Sequence, residues 1–436
     1  MKRALLIAAL LLAAHGAPAQ GYIPASRAED TGGCMSPEYW EQWNPAEQAR
    51  IDRDIERHRK ADGEVTLSDI AAGSEVRIEQ ISHDFVFGAH IFNFEQLGKK
   101  EYNDRYKELF GTLFNSATVA FYWKTLEPEP GRPRFGGEYR DSEAFWNEQQ
   151  RPWEQPHWRR PATDRVVDFC KSRGIRTHGH VLIWGNRRWH HPEWLPDFMT
   201  PEERGVILPG RRLCKSGYGL MPGDYPYRAL KSAEKHFSAG VALNINDYRR
   251  EPVYAHQVSE LLRRGCKIDI MGVQMHLFDP RASLAIAEGR GPQSPAEVRS
   301  YLEELSAPGL PLHLSEITIT APGTDERSRT IQAVIARNLY RLWFSCERMM
   351  GITWWNVVDD CGAPGEPSAS GLFTRDMQPK PVYHALDGLI NGEWTTRLAA
   401  RPDERGTVRF RGFRGRYRIS WTDRSGQEQS KEYHLK

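Results

Sequence analysis

The chain reads as an α/β protein, a (β/α)8 TIM barrel with an abbreviated fourth βα unit, extended at each end by a small β module. Three features carry that reading. Strand-like runs alternate with helix-like ones from residue 83 to residue 391. Gly174, Gly265 and Gly351 stand just before strand runs, where a helix end favours a residue that tolerates a left-handed backbone. One carboxylate, Glu316, interrupts the apolar run LPLHLSEITIT (310–320), and burying an unpaired acid there would cost roughly several kcal/mol.

The ends differ from the middle. MKRALLIAALLLAAHGAPAQ has a basic start (Lys2, Arg3), an apolar stretch from Ala4 to Ala14 and a small-residue cleavage site at Ala17-Pro18-Ala19. This is the form of a secretory signal peptide over residues 1–19, and it places the mature protein in the periplasm or outside the cell. No later apolar run is long enough to span a membrane. Residues 20–82 read as an appendage: AEQARIDRDIERHRK as a surface helix ended by Ala61-Asp62-Gly63, then VTLSDI and EVRIEQI as short strands. Residues 392–436 carry the alternating runs TVRFRGF, RYRISW and KEYHL, a second small β module whose arginine-rich face reads as solvated surface.

A net charge of +2 over 436 residues, 39% of them hydrophobic, argues against a nucleic-acid partner and fits a soluble protein. The 6 cysteines show no CxxC pair and no ligand spacing, so no metal and no cofactor is expected. Cys214 and Cys361 fall in loops where an oxidising compartment would allow a disulfide. No feature calls for a partner subunit, and a monomer is expected.

Within the barrel (residues 83–391), the strand runs are HDFVFGAHIF (83–92), FNSATVAFYW (114–123), IRTHGHVLIW (175–184), VALNINDY (241–248), KIDIMGVQMHLF (267–278), the Glu316 run and GITWWNVVDD (351–360). Helices are expected near 162–172, 226–236, 254–264, 295–305 and 327–346. Between Trp184 and Val241 only Val206-Ile207-Leu208 can serve as a fourth strand, and Pro209 with Gly210 cuts it short.

This assignment brings His180 and Trp184, Asn246 and Tyr248, Gln274 and His276, Glu316, and Trp355 to the carboxyl ends of separate strands. That end of a parallel barrel carries the active site. A carboxylate among amides, imidazoles and indoles suits a neutral polyhydroxylated ring whose anomeric carbon gains positive charge. The 14 tryptophans, several in polar stretches such as RRWHHPEW, fit the flat faces of sugar rings.

The motifs THGHVLIW with PEW, LNINDY, GVQMHL, LSEITI, GITWWNVVDD with GLFTRDMQPKPVYHAL, and FNSATVAFYWKTLEPEPGRPRF resemble, in that family's strand order, glycoside hydrolase family 10, the retaining β-1,4-xylanases and their relatives. The resemblance spans about residues 84–390. It implies a glycosidase acting on β-1,4-linked plant polysaccharide such as xylan. Glu316 would be its nucleophile, His180, Trp184, Asn246, Tyr248, Gln274 and His276 would contact substrate, and Trp355 would floor the catalytic subsite. Two departures stand out. Tyr122 occupies the place of a sugar-binding lysine, with Lys124 two positions on. The Val-Val-Asn-Glu type of motif that carries the acid/base is absent. Glu202 and Glu203 precede the short fourth strand, and Asp359 and Asp360 after the last strand are the fallback. Three readings follow: a retaining xylan hydrolase, a carbohydrate-binding barrel that no longer cleaves, or a retaining hydrolase of another (β/α)8 family acting on glucans or mannans.

Overall fold

A computed structural model describes residues 33–71, 73–149, 160–186, 188–195, 224–248 and 250–436. The strands among them are β1 (Lys60–Thr66), β2 (Val76–His83), β3 (Val86–His90), β4 (Ser116–Ala120), β5 (Arg176–His180), β6 (Asn244–Asp247), β7 (Ile270–Leu277), β8 (Leu312–Ile319), β9 (Met349–Trp354), β10 (Arg397–Ala400), β11 (Thr407–Phe413), β12 (Gly415–Thr422) and β13 (Glu428–Leu435).

Seven of these form a curled, all-parallel sheet in the order β5-β4-β3-β9-β8-β7-β6. The first barrel strand, β3, pairs with the last, β9, so the sheet turns back on itself as a TIM barrel does. The remaining stave position lies between β5 and β6. The expected short strand at Val206–Leu208, together with Glu202 and Glu203, lies outside the described residues.

Helices Thr163–Ser172, Tyr225–His236, Pro252–Arg263, Pro295–Leu305 and Glu326–Ser345 follow the expected pattern. Two more of eight residues or longer were not read from the sequence. Lys100–Leu113 buries Tyr106, Leu109, Phe110 and Leu113 on one face, and Pro280–Ala287 follows β7. Gly174 (φ +67°) and Gly265 (φ +77°) take the left-handed conformation expected after a helix. Gly351 does not cap a helix. It sits inside β9 opposite Val86, and a Cβ there would meet the Val86 Cβ at 2.5 Å, so its role is close approach of two strands.

The N-terminal helix Pro45–Arg59 is not purely a surface element. It buries Gln48, Ile51 and Ile55 and covers the outer face of Glu326–Ser345, with Gln48 Nε2 donating to Asn338 Oδ1 at 3.2 Å and Arg341 Nη2 to Asp52 Oδ1 at 2.5 Å. That cover explains why the longer helix is buried along nearly its whole length. The two terminal modules also share their sheets. β1 pairs with β11, and β2 lies between β10 and β12, with β13 on the far side of β12. Val65, Val76, Ile78, Val408, Phe410, Tyr417 and Ile419 form their common core. No described helix is long and apolar enough to cross a membrane.

Candidate active site

β8 carries the carboxylate. Every residue of LHLSEITI is buried, as expected of a parallel strand covered by helices outside and side chains inside. The strand is not regular. Val273 of β7 faces Leu314, but the next residue, Gln274, faces Glu316, so Ser315 is an extra residue. Leu312 and Leu314 before this bulge, and Ile317 and Ile319 after it, all join the apolar core. Glu316 and Thr318 are left to the interior, among polar groups.

Glu316 is only 6% exposed. Its Oε1 accepts hydrogen bonds from Asn246 Nδ2 at 2.7 Å and Gln274 Nε2 at 2.8 Å, and His180 Nε2 lies 3.2 Å from the same oxygen. Oε2 faces His276 Nε2 at 3.5 Å. Each donor is itself held. Ser315 Oγ donates to Asn246 Oδ1 at 2.7 Å, which turns the amide NH2 toward the carboxylate, and Thr318 Oγ1 lies 2.9 Å from His276 Nδ1. Gly272 leaves room for this: a Cβ there would come within 3.0 Å of Asn246 Oδ1 and 2.6 Å of Asn244 Oδ1. Burial alone pushes the Glu316 carboxyl upward. The His180 and His276 rings outweigh it by charge and hydrogen bonding, and hold the group well below the usual carboxylate range.

Trp355 is buried beside this group, its ring 5.7 Å from His180, 6.2 Å from His276, 5.4 Å from Phe92 and 5.1 Å from His90. The structure therefore brings Glu316, Asn246, Gln274, His180, His276 and Trp355 together. Trp184 is partly buried against Tyr122, 6.3 Å between rings, and Tyr248 stands half exposed past the end of β6.

The residues considered for the missing roles fare differently. Asp359 is buried and accepts from Lys380 Nζ at 3.0 Å and from the Gly371 N–H at 2.8 Å, so it fastens the loop after β9. Burial raises its pKa and Lys380 opposes the rise. Lys124 donates to the Arg188 carbonyl at 3.2 Å and pairs with Glu193. Tyr122 packs edge-on to His180 at 6.1 Å. Cys361 is a buried free thiol, and Cys214 lies outside the described residues.

Sequence reasoning missed Ser315 and Thr318, which set the donors, and His90, which contacts Trp355 and lies 3.4 Å from Asn356 Oδ1. It also missed Arg160, whose guanidinium lies 4.2 Å from the Phe92 ring centre and 5.0 Å from that of Tyr122. The phase break between Leu314 and Ile317 was a visible signal for the bulge. Arg160 sits in a long polar connection where nothing marked it.

Residues 211–388 match the model of glycosyl hydrolase family 10. Among curated relatives, the anti-sigma-I factor RsgI6 of Acetivibrio thermocellus is 23% identical over 59% of this chain and 34% of its own length. Endo-1,4-beta-xylanase A of Thermoanaerobacterium saccharolyticum is 22% identical over 51% of this chain and 22% of its own length. The chain thus spans about a third or less of the length of these relatives. Among solved structures, xylanase 10B from Thermotoga petrophila RKU-1 in complex with xylobiose aligns with TM-score 0.52 at 19% identity, covering 71% of this chain and 95% of that one. Native xylanase 10B from Thermotoga maritima gives TM-score 0.52 at 20% identity, covering 71% and 96%. The chain is family-10 xylanase-like in sequence, and the shared fold is the TIM barrel.

Proposed function

We propose that this glycosyl hydrolase family 10-like barrel is an exported retaining glycosidase for β-1,4-linked xylan, with Glu316 as nucleophile. The observation that carries the proposal is the asymmetry of the Glu316 hydrogen bonds. Among the described residues, Oε1 faces Asn246, Gln274 and His180, while Oε2 faces the more distant His276. The donors fix an ionised carboxylate and leave Oε2 as the oxygen to attack. Oε2 bonds to the anomeric carbon, the glycosidic C–O bond breaks with its electron pair on the leaving oxygen, and a glycosyl ester forms. Water then releases the sugar with net retention. Trp355 offers an apolar wall for the ring, while His180 and His276 hold the carboxylate that faces it.

In this mechanism a second carboxylate about 5 to 5.5 Å away protonates the leaving oxygen. Glu202 and Glu203, two of the residues considered for that role, lie outside the described residues, and the family's Val-Val-Asn-Glu type of motif is absent from the sequence. That missing motif favours a second reading, a barrel that holds xylo-oligosaccharide and cleaves it poorly or not at all, since losing general acid help costs roughly 10² to 10⁴ in rate. An aryl xylobioside with a highly acidic phenol leaving group separates the two, because that group departs without a proton. A hydrolase releases one equivalent of phenol in a burst and carries a xylobiosyl ester on Glu316, found by mass spectrometry of the peptide and absent in Glu316→Gln. Tight xylotriose binding with no ester supports the binding barrel. Activity on glucans or mannans with none on xylan would overturn the substrate assignment. Export is tested by whether the N-terminus found outside the cytoplasm begins just after Ala19.

A further inference from the structure

We propose that Arg160 is a substrate-binding residue of this site, its guanidinium donating to adjacent hydroxyls of a neutral sugar bound beside Trp355. The inference rests on the glycosidase reading above and deepens it. Arg160 enters from the segment before helix Thr163–Ser172, and two aromatic rings fix where it goes. Its guanidinium lies 4.2 Å from the Phe92 ring centre and 5.0 Å from that of Tyr122. Those rings belong to the site. Phe92 touches Trp355 at 5.4 Å and Tyr122 touches His180 at 6.1 Å, so the cation stands one ring away from the groups that hold Glu316.

The electrostatics agree with that placement. Arg160 is held low chiefly by burial, and Tyr122, Glu366 and Glu316 act against that by charge, with the Tyr122 side chain also hydrogen-bonded to it. The Glu366 carboxylate is fixed by the Ala363 N–H at 3.0 Å on the loop after β9. The cation therefore lies in the field of two carboxylates, one of them the proposed nucleophile. With that balance an anionic sugar gains little, whereas a neutral polyol can use both the donors of the cation and the acceptors of the carboxylates. A guanidinium packed on aromatic faces keeps its N–H groups in a rigid planar fork, a geometry that meets two neighbouring hydroxyls at once. A lysine ammonium supplies the charge without the fork.

The test is calorimetric binding of xylotriose to the whole protein and to Arg160→Gln and Arg160→Lys. Losing a charge-assisted hydrogen bond to the ligand should weaken binding about 10- to 100-fold in Arg160→Gln, with partial recovery in Arg160→Lys. Thermal unfolding of each variant separates this from a packing role. If Arg160→Gln unfolds earlier yet binds xylotriose as the wild type does, Arg160 only packs against Phe92 and Tyr122, and the inference is overturned while the site reading stands. A wild type that binds no xylotriose and forms no ester removes the glycosidase reading, and this inference with it. With the activated aryl xylobioside, a hydroxyl-binding role should raise KM more than it lowers kcat, and equal affinity of wild type and Arg160→Gln for that substrate would also count against it.

Discussion

Replacing Asn246 by aspartate tests most directly whether Glu316 is held ready as an anion. The Asn246 NH2 donates to Glu316 Oε1 at 2.7 Å, and Ser315 fixes that orientation from behind. Aspartate keeps the shape but puts an oxygen where the donor was. Two effects add. Loss of a hydrogen bond to a charged group costs roughly 1.5 to 3 kcal/mol, or about one to two pKa units. A second negative charge with its centre about 4 Å away adds about 4 kcal/mol at an effective dielectric constant near 20, or about three units more. The apparent pKa of the carboxyl pair that Glu316 then forms with the introduced aspartate should therefore rise by about four to five units, from well below the usual carboxylate range to its upper edge or just above it. The assay is the pre-steady-state rate of aryl release from the activated xylobioside between about pH 4.5 and 7.5. In the wild type this rate should be flat with pH. In Asn246→Asp it should climb steeply with pH as the shared proton is lost, whereas Asn246→Ala should stay flat because one to two units leave the acid limb below the window. A flat profile in Asn246→Asp, with unfolding temperature retained, would refute the claim that these donors keep Glu316 ionised.

Three further outcomes follow from the same geometry. Gly272→Ala should displace the Asn246 amide, since the new methyl would sit 3.0 Å from its Oδ1; ester formation should slow at least tenfold at a stability loss of about 1 to 3 kcal/mol, read from burst kinetics and urea unfolding. Acid should destabilise the barrel well before Glu316 is protonated. Burial lowers the pKa of His90 to about 3 and that of His313 well below its ordinary value, so the unfolded chain takes up protons below about pH 6.5 that the folded chain refuses. Each should remove about 2 kcal/mol between pH 6.5 and 5, and a urea midpoint unchanged across that range would contradict it. Lys380→Met should leave Asp359 buried without its cation and lower stability by about 3 to 5 kcal/mol, and Asp359→Asn in the same chain should recover part of the loss.

Much of the barrel could be read from local pattern. Helix Thr163–Ser172 was expected at 162–172 and Pro295–Leu305 at 295–305, because apolar periodicity, proline at the first turn and glycine after the last turn are local signals. Lys100–Leu113 escaped notice although Tyr106, Leu109, Phe110 and Leu113 share a helical face, since Gly111 and Thr112 break its C-terminal turn. The pairings of β1 with β11 and of β2 with β10 and β12 join opposite ends of the chain, and no local pattern specifies which distant strand completes a sheet. The same limit applies to the site. His180, Gln274, His276 and Asn246 could be placed from strand ends, but Arg160 reaches Phe92 and Tyr122 only through the tertiary fold.

The direction in which Glu316 points turns on one extra residue, and the sequence held two conflicting answers. Counting by twos from Leu312 and Leu314 puts Glu316 on their face, against the helices. Counting back by twos from Ile319 and Ile317 puts it on the opposite face, inside the barrel. A regular strand cannot satisfy both counts without burying an acid among apolar side chains or turning two isoleucines into the polar interior. The bulge at Ser315 resolves the conflict: Leu314 stays paired with Val273, Glu316 pairs with Gln274, and the extra serine lies where its hydroxyl reaches Asn246. Register and electrostatics are therefore set by the same residue. The irregularity that turns the carboxylate inward also supplies the hydroxyl that orients one of its donors. A break in apolar alternation beside a lone acid is thus a local signal, visible before any coordinates, that the strand has been bent to aim that acid.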